Sequence, residues 1–136
     1  MPAPCFQLTA VPETGHNYGW VLHQNQPGAR QEVVASVAFA QRSRVCDAVL
    51  AAARTTGADL STLSPSAPIE LAEPAGVRLG LILMATGPLK RLDRVYEVSA
   101  GINAMSTEET YYWYSKCSGQ SRRRGLAALR TLLSTD

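Results

Sequence analysis

Phe6-Gln7-Leu8-Thr9-Ala10-Val11 alternates apolar with less apolar residues, and Tyr18-Gly19-Trp20-Val21-Leu22-His23 does so again, with Tyr18, Trp20 and Leu22 on one side. A period of two marks a strand with one face buried. Pro12 to Asn17 between them is turn chemistry (Pro-Glu-Thr-Gly-His-Asn), which predicts an antiparallel hairpin with a long loop. Trp20 is expected in the core beneath it. A second turn, Pro27-Gly28, leads into Glu32-Val33-Val34-Ala35-Ser36-Val37-Ala38-Phe39. Its β-branched and aromatic residues suit a pleated surface and predict a third strand. An alternative takes 31–56 as one helix.

Downstream the period changes to the helical one. Val45, Val49 and Ala52 recur at helical spacing within Gln41 to Thr56, and Gly57 is a stop signal. Ala58 to Ala67, rich in Ser and Thr and holding Pro65, predicts a loop between a β-rich part (about 1–57) and a helical part (about 68–136) of one domain. Val77, Leu79, Leu81 and Leu83 alternate like a strand, but Pro74 before them and Gly87 after them frame a helix. That frame predicts a helix, and a well-buried one. Leu92, Val95, Val98, Ile102 and Met105 form the apolar stripe of a helix over Pro88 to Met105. Ser106-Thr107-Glu108-Glu109 is a capping box that opens another helix, to about Cys117. Leu126, Leu129 and Leu133 mark a last one. The expected fold class is therefore α+β: an antiparallel sheet of two to three strands, a helix against it, and a C-terminal layer of about four helices.

Composition bounds the function. The chain has 136 residues, enough for a domain with its own core, with 46% hydrophobic and 18% charged residues. Val77 to Ala85, interrupted by Arg78 and Gly80, is far short of the ~20 apolar residues a spanning helix needs. No membrane association is expected. Met1 to Cys5 has neither the basic nor the apolar region of a signal peptide. Cys5, Cys46 and Cys117 are odd in number and widely spaced, which suggests reduced thiols and a cytoplasmic protein. Cys5, His16 and His23 lack the tight ligand pairs of a zinc site; neither a metal nor another cofactor is expected. Neither histidine sits in a nucleophile motif, and Gly76 to Gly80 lacks the Lys-Ser/Thr ending of a phosphate loop. No catalytic residue can be named, and the expectation is a protein that binds rather than catalyses.

Two features point to binding. In Tyr111-Tyr112-Trp113-Tyr114, successive residues turn by about 100° on a helix, so four in a row sweep most of its circumference. One core stripe cannot bury them all. The helix is then enclosed on several sides, or Tyr111, Tyr112 or Tyr114 faces a partner, where tyrosine is favoured, or both. The other feature is Arg122-Arg123-Arg124 at a helix start, where acidic residues would be the local preference. With Lys116 and Arg130 this cluster can meet an anion or a nucleic-acid backbone, or can simply be solvated. Pro88 to Ser134 holds eight Lys/Arg against four Asp/Glu, while the remainder holds five against seven. The pI of about 8.6 is modest for a nucleic-acid binder.

The segments Gly76-Val77-Arg78-Leu79, Pro88-Leu89-Lys90-Arg91, Met105-Ser106 with Glu108-Glu109, Tyr111-Tyr112-Trp113-Tyr114 and Lys116, and Gly125-Leu126 with Ala128-Leu129-Arg130 and Leu132-Leu133 resemble a family of short uncharacterised bacterial proteins. These are encoded beside methyltransferase and ATPase or helicase genes in phage-defence islands. The resemblance covers about the last sixty residues and carries no catalytic motif. It implies an accessory or adaptor subunit that binds a larger partner protein, with nucleic-acid binding through the basic C-terminal face as the alternative.

Overall fold

The computed structural model describes residues 6–11, 17–26, 28, 30–40, 43–63, 66–89, 91–118 and 122–134. The expected α+β architecture is present: an N-terminal antiparallel sheet followed by helices. The strands are β1 (Phe6–Val11), β2 (Asn17–Gln26), β3 (Arg30–Ala40) and β4 (Ile69–Leu71). The helices are α1 (Arg44–Arg54), α2 (Ala75–Thr86), α3 (Leu92–Asn103), α4 (Thr107–Ser118) and α5 (Arg122–Ser134). The 31–39 segment is strand and the 76–86 segment is helix.

The sheet order is β3-β2-β1-β4, antiparallel at every pairing. β4 adds a strand to the two or three expected and lies inside the part read as helical. Ile-Glu-Leu is too short to display a period, and its place is set by pairing Phe6 with Leu71 and Leu8 with Ile69. The expected loop before it carries a 3₁₀ turn, Leu60–Thr62, whose start is capped by the Asp59 carboxylate. The helix expected from Pro88 begins only at Leu92: a turn closed by Leu89 N–H on Thr86 O occupies the start.

One face of the sheet is buried through Phe6, Leu8, Trp20, Leu22, Ala35 and Phe39. Trp20 is 3% exposed and its ring lies 5.8 Å from that of Phe39, as the strand alternation predicts; the Tyr18 side chain lies outside the described residues. The opposite face carries Gln7, His23, Asn25, Gln31 and Val33, where Gln31 Nε2 donates to Gln7 Oε1 and Asn25 Oδ1. Between the pairs Leu22–Ala35 and His23–Val33, Val34 is the extra residue of a β-bulge.

α2 is the hub. Gly76, Val77, Leu79 to Leu83, Ala85 and Thr86 are all buried, as a helix apolar all round must be. Val77, Leu79 and Leu83 join the cluster against the sheet and α1. Leu81, Ile82 and Ala85 join a second cluster with Ile102, Cys117 and Leu132. Gly76 lies so close to the Phe6 ring that a Cβ there would fall 2.1 Å from it, so a side chain at 76 would displace the ring or the helix. The Thr86 hydroxyl is satisfied by the Ile82 carbonyl at 2.6 Å. Arg78, the charged residue of α2, donates to the carbonyls of Ile102 (2.6 Å) and Met105 (3.3 Å). A cation there complements the negative end of α3. Arg94 does the same for Leu133 O at the end of α5.

The capping box holds in a modified form. Ser106 Oγ accepts from Glu109 N–H at 3.1 Å, and its hydroxyl donates to Glu109 Oε1 at 3.3 Å. Ser106→Ala is expected to lower stability by about 1 kcal/mol, read as a shift of the urea midpoint at unchanged slope.

Candidate partner-binding cleft

β3 is an edge strand: its inner side pairs with β2, and no strand lies on its outer side among the described residues. Along that outer side runs a cleft of about 610 Å³. Six consecutive β3 residues, Val33 to Ala38, line it. Alternate strand residues point to opposite faces, so a cleft touching all six follows the strand's free edge rather than either face. The far wall is built from the ends of α2 (Leu83, Met84, Gly87) and α4 (Cys117, Ser118) and the start of α5 (Gly125, Leu126, Leu129). α5 is seated tightly: a Cβ on Gly125 would lie 2.8 Å from the Cys117 carbonyl oxygen. On the helical wall Leu126 is 45% exposed, a large apolar side chain open to solvent, whereas the exposed Val33 side chain belongs to the opposite face of the sheet.

The basic residues collect near the α5 wall. Arg123 and Arg130 are exposed, three before and four after Leu126, so they share the helix surface next to it. Arg124 is exposed on another side of α5, and the Arg122 side chain lies outside the described residues. Lys116, exposed near the end of α4, sits over the Tyr112 ring at 5.6 Å. The structure therefore brings Arg123, Arg130 and Leu126 together and leaves Lys116 with its own helix neighbour.

The four aromatics of α4 divide as the helix circumference requires. Tyr114 turns inward, 8% exposed, and donates from Oη to Gln24 Oε1 on β2 at 2.8 Å. Burial pushes its phenol up to about 12. Tyr111 packs against the sheet-side cluster and Trp113 against the helix-side one. Tyr112 points out, 56% exposed. Of the three tyrosines named from the sequence, Tyr112 offers its ring to solvent, whereas Tyr114 is committed to joining α4 to the sheet. A stripe of small or uncharged residues could have marked this: Thr110, Tyr114 and Cys117 are four and three apart and all buried, while Glu108, Ser115 and Lys116 surround Tyr112.

Burial pushes the Cys46 thiol to about 11, with the neighbouring Asp47 charge adding to it, and burial alone does the same for Cys117. Both thiols stay protonated near neutrality, the opposite of an activated nucleophile. Cys5 and His16 lie outside the described residues, and among those described no three His, Cys, Asp or Glu side chains gather as a metal site. Among the described residues no helix is long and apolar enough to cross a membrane. A further hollow of about 430 Å³ lies between α3, α4 and the end of α5, where Arg94 is already held by Glu97 and the Leu133 carbonyl.

Residues 6–135 match a family model described as a domain of unknown function (DUF7680). The chain belongs to that family. The match takes in every described element from β1 to α5, and so spans both walls of the cleft. No curated protein and no solved structure matches the DUF7680 chain.

Proposed function

We propose that this chain is a non-enzymatic accessory or adaptor subunit that docks a larger partner protein along the β3–α5 cleft. The observation that carries it is the free edge of β3 facing a fixed helical wall on which Leu126 is exposed. Most of the residues that line the cleft are apolar, with Ser36 and Ser118 among them, a mixture that suits a protein-binding surface. The place in a cytoplasmic prokaryotic phage-defence system rests on the sequence resemblance of the C-terminal half. The test is affinity capture of the tagged chain from its native host, with and without nuclease. A stoichiometric protein partner is expected to survive nuclease and to be lost with Leu126→Glu. That substitution is at an exposed position and is expected to change stability by less than about 0.5 kcal/mol. Capture unaffected by Leu126→Glu would remove the cleft from the account.

A second reading, nucleic-acid binding, is favoured by the exposure of Arg123, Arg124, Arg130 and Lys116. Contacts to three to five phosphates would give a slope of log affinity against log salt of about −3 to −4.5 on duplex DNA. Fluorescence anisotropy at several salt concentrations reads that slope. Replacing Arg122, Arg123 and Arg124 with Gln would flatten it, and a wild-type chain without salt-dependent binding would eliminate this reading.

A further inference from the structure

We propose that what occupies the cleft is an extended, acidic segment of the partner, added as a further strand on the free edge of β3. This rests on the adaptor reading and specifies the chemistry of its partner. An edge strand presents unpaired N–H and C=O groups, and proteins normally blunt such edges with lysine, proline or short strand length. β3 runs for eleven residues. From Val33 to Ala40 it contains no charge and no proline. The bulge at Val34 lies near one end of this stretch, and Ala35 to Ala40 pairs regularly with β2. At about 3.3 Å per residue, the six cleft-lining residues offer roughly 20 Å of backbone, the length of an ordinary strand. Strand addition uses main-chain hydrogen bonds for affinity and pockets for alternate side chains for specificity. Leu83, Met84, Leu126 and Leu129 supply such apolar pockets.

Charge selects among occupants. Arg123 and Arg130 flank Leu126 on the exposed surface of α5. A second copy paired edge to edge about a two-fold axis would bring this basic surface against its own equivalent, which like-charge repulsion opposes. A nucleic-acid strand would find the arginines but would leave the apolar lining and the edge amides unused. A segment that alternates apolar with Asp or Glu residues satisfies the edge, the pockets and the arginines together.

The test pans a displayed library of random dodecapeptides against the intact chain. Selected peptides are synthesised and titrated while the backbone amides are followed by NMR. The expected peptides alternate apolar and acidic residues and shift the amides of 33–38. Arg123→Glu with Arg130→Glu is expected to weaken them about tenfold or more, since each 1.4 kcal/mol is tenfold, and to select basic peptides from the same library. The milder pair Arg123→Gln and Arg130→Gln is expected to weaken them less, which guards against a folding defect in the charge reversal. The inference is overturned by selected peptides without acidic bias, by binding that leaves 33–38 unperturbed, or by equal binding to the reversed variant. If the host partner is still captured by the reversed variant, the acidic-segment proposal falls while the adaptor reading stands. If DNA alone binds at the arginines, both fall.

Discussion

Replacing Trp20 with alanine is expected to destabilise the chain by about 3–5 kcal/mol. The indole is 3% exposed on the helix-facing side of the sheet and stacks at a tilt on Phe39 of the neighbouring strand. Truncation loses its transfer free energy and leaves a cavity that the sheet and α1 can close only partly. Total stabilities of domains are about 5–15 kcal/mol, so the variant should be marginal. Urea unfolding measures the loss, and a value below about 1 kcal/mol would mean that the β2 alternation does not define the core.

Tyr114→Ala is expected to have a comparable effect, about 3–5 kcal/mol, by the same loss of a buried aromatic. Its ring meets Phe6 edge-on at 6.1 Å, and a Cβ on Gly80 would fall 2.9 Å from it. Its hydroxyl also joins α4 to Gln24 of β2. Tyr112→Ala, two residues away on the exposed face, should change stability by less than about 0.5 kcal/mol. Tyr114→Phe separates the hydroxyl from the ring and has a pH signature. The folded phenol ionises near 12, whereas a free tyrosine ionises near about 10. Between these values the unfolded state binds fewer protons, so stability falls as pH rises. The contribution is fully present below about pH 10 and is lost towards 12. Cys46 and Cys117, raised to about 11, act in the same sense over a lower window. In Tyr114→Phe the alkaline decline should be shallower; an identical decline would assign the pH dependence to other groups.

Most of the fold was legible because its signals are local. Period two in Phe6 to Val11 and in Tyr18 to His23, the Ser106–Glu109 cap, and Pro74 and Gly87 around α2 each depend on neighbours a few residues away. β4 was not legible, since three residues carry no period and owe their conformation to pairing with β1. Nor were the roles of Arg78 and Arg94, whose acceptors are 24 and 39 residues distant. The aromatic helix was half legible. Its circumference shows that Tyr111 to Tyr114 cannot share one face, but which ring enters the core depends on where the sheet lies. The cleft was the least legible feature. The sequence marks 32–39 as a strand without saying that it ends the sheet, and nothing local brings Leu126 to it from 93 residues beyond Val33. The arginine cluster drew attention by its composition, while the apolar residues beside it passed as ordinary helix core.

Docking of a partner along the β3–α5 cleft is measured most directly by hydrogen exchange. Exchange is compared by mass spectrometry for the chain alone and for the complex captured from its host. Free-edge amides of a strand exchange readily and are protected when a partner strand pairs with them. Slowed exchange is predicted in peptides covering 30–40 and 122–134. Protection confined to other segments, with those two unchanged, would contradict it.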